Sequence, residues 1–359
     1  MNKHHVFLLS LSLTAALSLQ TPEAFGDGYK PVNADYSAIC TPQAFDNFLE
    51  KASDDSYTPE NRVIMLREAM DRAQTLRQRR EVLEEIGETG AFQGMVYAAS
   101  WLDNPDLRKD AAKAVLQIAL AHPEYAGSGT KAAVSKAAGI CGKEREAAAF
   151  LKASAAGGWT ALFNGRDLSG WKGLVDDPIK RAAMSPDEAA KKQAEADVRM
   201  RHDWKVINGC IVYVGHGYDN LCTVGKYGDF EMYVDWKLDP SGAEPDAGIY
   251  LRGTPQVQIW DISRTEVGAQ VGSGGLYNNQ KNPSAPTSIA DNQLGQWNTF
   301  RIIMRGEKVT VYLNGVKVVD NVTLENYWDR SRPIFPREQL ELQAHGSLTY
   351  FRNIYVREL

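Results

Sequence analysis

The residues whose types and spacing could do chemistry crowd into one short stretch. Asp246-Ala247-Gly248-Ile249-Tyr250-Leu251-Arg252-Gly253 runs on, through a Gly-Thr-Pro turn, to Gln256-Val257-Gln258-Ile259-Trp260-Asp261. Side chains of a strand point alternately to its two faces. Gln256, Gln258 and Trp260 therefore share one face; in the preceding strand Ile249 and Leu251 take one face, Tyr250 and Arg252 the other. An arginine, glutamines and an aromatic ring on one face do not make an ordinary core. They make a floor on which a polar ligand can be held.

The elements that must position this floor are legible as a change of period. Strand-like alternation covers 210–214, 230–238, 248–252, 257–262, 299–305, 309–313, 340–344 and 348–357. Asn314-Gly315 sits between two such runs and demands a type I′ hairpin. Many short antiparallel strands at this spacing predict a two-sheet sandwich. Ser185-Pro186-Asp187-Glu188 opens a helical insertion over about 185–201 with a capping-box arrangement.

Residues 35–155 carry a helical period instead. Thr41-Pro42 and Thr58-Pro59 each place a capping hydroxyl before a proline. Val63, Leu66 and Met70, then Leu76, Val82, Leu83 and Ile86, recur at helical spacing. The segment 101–116 reads as a HEAT-like repeat, a helix pair with a polar turn. This part is expected to be a scaffold or docking module open to a protein partner. Small residues over 153–158 form the linker. The fold class is multidomain, α followed by all-β.

With 359 residues the chain has room for two domains. A net charge of -5 leaves no basic field for nucleic acid. Lys3 precedes an apolar run over 6–19 and small or polar residues up to 26, the pattern of a secretory signal over 1–26, which implies a periplasmic or secreted protein. No other stretch is long and apolar enough to span a membrane. Four cysteines allow three pairings. Pairing within domains, Cys40 with Cys141 and Cys210 with Cys222 across a hairpin, is the economical expectation. No Ser-His-Asp, Walker, Rossmann or zinc-protease pattern occurs, nor the carboxylate pair of ordinary glycosidases.

A longer set of motifs then carries a resemblance. Trp159-Thr160-Ala161-Leu162-Phe163-Asn164-Gly165-Arg166-Asp167-Leu168-Ser169-Gly170-Trp171 is followed by Trp204-Lys205-Val206-Ile207-Asn208-Gly209 and by Tyr227-Gly228-Asp229-Phe230-Glu231 with Asp235-Trp236-Lys237. Ala247-Gly248-Ile249-Tyr250-Leu251-Arg252-Gly253, Gln296-Trp297-Asn298-Thr299, Leu342-Gln343-Ala344-His345-Gly346 and Phe351-Arg352-Asn353-Ile354 complete the series. Residues 158–359 resemble the 3-keto-disaccharide hydrolase family, which implies a concanavalin-like jelly roll. Asp246-Ala247-Gly248 stands where the family usually has Asn-Ser-Gly, and Gln256 where it usually has glutamate.

The resemblance implies elimination from a 3-keto-glycoside. The ketone acidifies the C2 proton, the C1 substituent leaves, and water adds to the enone. Such chemistry needs a base near C2, a stabiliser for the enolate oxygen and an acid for the departing oxygen. Arg252, with its forked donors, is the candidate stabiliser. Asp261 and His345 are the acid and base candidates, histidine being the residue type that titrates near neutrality. Gln256, Gln258 and Gln343 would hold hydroxyls, Trp260 or Tyr277 would stack on the ring, and Lys237 is a second cation. Asp261 and His345 with nearby oxygens could instead hold a divalent metal. Arg252 paired simply with Asp261, and a structural His345 at a turn, stay open. A non-catalytic glycan-binding module carried on a helical docking domain is the alternative function.

Overall fold

A computed structural model describes residues 28–153, 157–215 and 217–359. The expected signal segment, the middle of the linker and His216 lie outside the described residues. Hydroxyls open the first three helices. Thr41, Thr58 and Thr75 accept from the backbone N–H groups of Ala44, Asn61 and Gln78, starting α1 (Pro42–Ser53), α2 (Pro59–Arg72) and α3 (Leu76–Glu88). After them come α4 (Phe92–Ala99), α5 (Arg108–Ala121), α6 (Ser128–Cys141) and α7 (Glu144–Lys152). They pack in succession, α1 on α2, α2 on α3, α5 on α3 and α4, α6 on α5, and α7 on α6. Residues 101–116, expected to be a helix pair, are instead the turn between α4 and α5 together with the first half of α5.

The rest of the chain alternates strands with one helical insertion. In order these are β1 (Thr160–Ala161), β2 (Trp171–Gly173), α8 (Pro178–Ala183), α9 (Pro186–Asp203), β3 (Trp204–Ile207), β4 (Cys210–Tyr213), β5 (Leu221–Thr223) and β6 (Phe230–Leu238). They continue with β7 (Asp246–Leu251), β8 (Thr254–Trp260), β9 (Asn298–Arg305), β10 (Lys308–Leu313), β11 (Val316–Thr323), β12 (Glu341–Leu342) and β13 (Thr349–Glu358). The back sheet has the order β11-β10-β9-β6-β13-β4-β3, with β1 also paired to β13; the front sheet runs β2-β5-β12-β7-β8. The strand pairs are antiparallel, and the fold is the expected jelly-roll sandwich. Asn314 and Gly315 both have positive φ, as the I′ hairpin between β10 and β11 requires.

Alternation along the strands builds the layers. Met232, Val234 and Trp236 of β6 face Ala247, Ile249 and Leu251 of β7 and Val257 and Ile259 of β8 across a dry core. The other face of the back sheet is covered by the helical array. There Tyr233 stacks on Phe92 with ring centroids 4.9 Å apart and planes 6° from parallel, and Trp159 and Tyr355 close around the same ring. Asn61 and Asn292 share a hydrogen bond across this boundary at 2.8 Å. The outer face of the front sheet is left for a ligand.

The cysteines do not pair. Cys210 lies on β4 in the back sheet, whereas Cys222 lies on β5 in the front sheet, which pairs with β2 and β12 and not with β4. Cys40 precedes α1 at one end of the helical array and Cys141 closes α6 near the other. All four are free thiols. Among the described residues no helix is long and apolar enough to cross a membrane.

Candidate functional site

The site is built on the outer face of the front sheet. Register places Asp246 opposite Trp260, Gly248 opposite Gln258, and Tyr250 opposite Glu341. Because alternate residues share a face, Asp246, Gly248 and Tyr250 of β7 lie beside Gln256, Gln258 and Trp260 of β8. Gln343, just past β12, donates its backbone N–H to Gly248 O at 2.9 Å and brings His345 alongside. Together they floor a cavity of about 360 Å³, walled by Tyr277, Asn278, Tyr327 and Trp328. Gly248 leaves room for two side-chain amides there. A Cβ would come within 2.8 Å of Gln343 Oε1 and 3.1 Å of the Gln256 side chain.

A chain of hydrogen bonds orders the floor. Gln256 Nε2 donates to Gln258 Oε1, and Gln258 Nε2 donates to Asp246 Oδ1 at 2.6 Å. The second oxygen of Asp246, Oδ2, lies 3.8 Å from His345 Nδ1. Burial pushes the Asp246 carboxyl up to about 6, against the opposing pull of His345 and the Gln258 hydrogen bond. Gln343 Oε1 and His345 Nδ1 are buried and find no hydrogen-bond partner in the protein. Two unsatisfied polar atoms on residues that line one cavity carry a desolvation cost.

Several expected residues gather here, and three do not. Gln256, Gln258, Trp260, Tyr277, Gln343 and His345 line the cleft, with Tyr277 edge-on to Trp260 at 5.4 Å. Arg252 is elsewhere. The turn is Arg252-Gly253 rather than Gly-Thr-Pro, because Leu251 already pairs with Thr254 and both turn residues have positive φ. The turn breaks the alternation, and the guanidinium folds away to donate to Gly228 O at 2.8 Å and Asp229 Oδ1 at 2.7 Å, only 3% exposed. Asp261 faces away as well. It lines a separate hollow with Trp236, Leu238 and Leu294, and its Oδ1 accepts from Ser263 N and Oγ. Lys237 lies on the outer face of the back sheet, over the rings of Tyr350 and Trp297 at 4.6 and 5.3 Å.

The metal expectation falls with Asp261. Among the described residues no group of three or more His, Cys, Asp or Glu side chains converges as a ligand set. The cleft contributes only the pair Asp246 and His345. Residues given no role from the sequence complete the site: Asp246 itself, Tyr250, Tyr327, Trp328 and, in an adjoining lobe, Asn220 and Glu341. The alternation Gln339, Glu341, Gln343 would have placed Glu341 beside Gln343. The loop residues Asn220, Tyr327 and Trp328 carry no periodic signal.

A jelly-roll sandwich with a polar, aromatic-walled cleft on its front sheet defines a carbohydrate-active protein. The chain belongs to the family described as the 3-keto-alpha-glucoside-1,2-lyase-like domain, whose model matches residues 158–357. No curated protein matches the chain. Among solved structures it is similar to two from Parabacteroides distasonis ATCC 8503 that bear the name "putative glycosyl hydrolase". One is 24% identical, with 56% of this chain and 94% of that chain covered at a TM-score of 0.40. The other is 22% identical, with 56% and 99% covered at 0.39. A carbohydrate-binding module from Bacillus subtilis is 9% identical, with 43% and 91% covered at 0.29.

Proposed function

We propose that the protein cleaves 3-keto-glycosides by elimination across C1 and C2, with Asp246 and His345 as the proton-handling pair. The observation that carries this reading is their geometry. A buried carboxyl and an imidazole with an unsatisfied nitrogen stand 3.8 Å apart at the floor of a cleft lined by amides and aromatic rings. Catalytic hydrogen bonds are often long before substrate binds and tighten in the complex.

In this scheme the sugar ring lies against Trp260 and Tyr277. The pair removes the C2 proton, and the electrons form the C1–C2 double bond while the C1–O bond breaks. The departing oxygen takes up a proton. Addition of water to the enone, hydroxyl to C1 and proton to C2, completes hydrolysis. With Arg252 folded away, the enolate oxygen falls to neutral donors, and the side-chain amide nitrogens of Gln256 and Gln343, both of which line the cleft, can supply them. The family resemblance expects asparagine at 246 and glutamate at 256. This chain carries the reverse, so its carboxyl stands on β7, next to His345, instead of on β8. We further propose that the protein is exported, on the strength of the apolar run near its N-terminus.

The test is turnover of methyl 3-keto-glucoside followed by NMR. Wild type is expected to release methanol and pass through the enone. Asp246→Asn and His345→Ala are each expected to lose about a hundredfold or more in rate, the usual range for a positioned acid or base. Full turnover in both variants contradicts the assignment.

A further inference from the structure

The walls of the cleft are carried by two loops. Tyr277 and Asn278 lie within residues 272–297, Tyr327 and Trp328 within residues 324–340, and neither stretch forms a helix or a strand. Backbone polar groups outside helices and ladders must be satisfied in some other way. Here one side chain collects them. Glu325 Oε1 accepts from Lys281 N at 2.7 Å, Asn282 N at 2.8 Å and Asn282 Nδ2 at 3.0 Å. Its Oε2 accepts from Gln280 N and from Arg330 Nη1, both at 3.1 Å.

Arg330 extends the same grip. Its other arm, Nη2, donates to Asn278 O at 2.8 Å, and its guanidinium lies over the Tyr327 ring, 5.3 Å from the centroid. One ion pair therefore joins the loop of Tyr277 and Asn278 to the loop of Tyr327 and Trp328. The second loop is itself tied to the front sheet, because Trp328 Nε1 donates to Gly253 O at 2.7 Å. Neither Glu325 nor Arg330 lines the cleft; both line a separate hollow.

The residue types suit this task. Five donors converge on two oxygens, which a carboxylate can accept and an amide, with a single oxygen, cannot. A guanidinium reaches Glu325 and Asn278 O with two arms of one fork, where an ammonium offers one point. The Glu325 side chain is 11% exposed, so these contacts are shielded from the solvent that weakens surface pairs.

We propose that Glu325 and Arg330 are a positioning pair that holds the two walls at the spacing a sugar ring needs. Walls ordered in advance spare the ligand the cost of ordering them on binding. The pair touches no reacting atom, so it acts on affinity and not on proton transfer. The inference rests on the proposed function for the place of the sugar, but not for its chemistry.

The experiment uses the full chain and the variants Glu325→Gln and Arg330→Lys, with folding checked by thermal melts. Steady-state rates are taken on methyl 3-keto-glucoside, and binding of unoxidised methyl glucoside is measured by calorimetry. Each variant should raise KM and the methyl glucoside Kd roughly tenfold, with kcat within about threefold of wild type. Should Glu325→Gln not fold, Arg330→Lys, which keeps the charge, decides alone. KM and Kd within about twofold of wild type in a folded variant overturn the pair, as does a kcat that falls while KM stays. If wild type binds methyl glucoside but leaves the keto substrate unchanged, the elimination reading fails and the Kd values still judge the pair. If wild type does neither, the cleft is not the sugar site and the role given to the pair falls with it.

Discussion

At the scale of the residue, the protein holds several carboxyls where ionisation is costly. Asp246, Asp291 and Glu341 are all buried and pushed up to about 6, 6 and 7. For each, the folded protein binds the proton more tightly than the unfolded chain does. Stability contributed by the neutral form is therefore present at low pH and is lost as pH rises through the folded value. Glu341→Gln removes the ionisation while keeping the shape. The variant should be close to wild type in stability near pH 4.5 and gain on it up to about pH 7, by on the order of 3 kcal/mol. Denaturant melts across that range check it, and a difference that does not change with pH contradicts it.

Arg252 shows what residue types alone can mislead about. Its place after Tyr250 and Leu251 predicted the polar face, but alternation holds only while the strand continues. A two-residue turn with positive φ at Arg252 ends β7 one residue earlier. Asp229 was the available clue, since it is the acidic residue of the Tyr227-Gly228-Asp229 motif and receives the guanidinium. Pairing between distant motifs is not encoded in spacing.

At the scale of the element, the front sheet's chemistry depends on Gly248. Its missing side chain leaves room for the Gln256 and Gln343 amides to meet over β7. Gly248→Ala is expected to keep the sandwich folded, because its backbone can hold an ordinary extended conformation, and to push one or both amides from the floor. Activity on a 3-keto substrate should fall by about tenfold to a hundredfold, consistent with the loss of one oriented donor. A thermal melt within a few degrees of wild type together with unchanged kcat/KM would contradict the role given to the two amides. Strands such as β10 and β13 were legible because half-buried antiparallel strands alternate buried and part-exposed positions, whereas β6 and β8 were legible by their length and their content of Val, Ile, Tyr and Trp, being buried almost throughout. The short β2 and β5 were harder. β5 is buried along its whole length as Leu221, Cys222 and Thr223, so it shows no alternation. The Asn314-Gly315 hairpin was legible for the opposite reason, since its conformation depends on two adjacent residues alone.

At the scale of the whole molecule, the layers run from helical array to back sheet, apolar core, front sheet and cleft. Phe92 joins the first two layers through its contacts with Trp159, Tyr233 and Tyr355. Phe92→Ala should cost about 3–5 kcal/mol, the usual penalty for emptying a buried aromatic site. Because the cleft opens on the opposite sheet, activity per folded molecule should stay within about twofold, against the large fall in melting temperature. A cleft that loses function in step with stability would mean the helical array shapes the site directly. The docking of this array against Tyr233, Asp235 and Tyr355 could not be read from the sequence. Those residues look like ordinary exposed positions of an antiparallel strand until another layer covers them.

In the proposed reaction the Asp246–His345 pair takes a proton from the carbon beside a ketone. Exchange of the C2 proton tests it most directly. Methyl 3-keto-glucoside in heavy water with the full chain should show enzyme-dependent loss of the C2–H signal, at least as fast as methanol release. Asp246→Asn and His345→Ala should each bring that loss down to the uncatalysed rate. Methanol released by wild type into heavy water with the C2 proton still in place would contradict elimination and the role proposed for the pair.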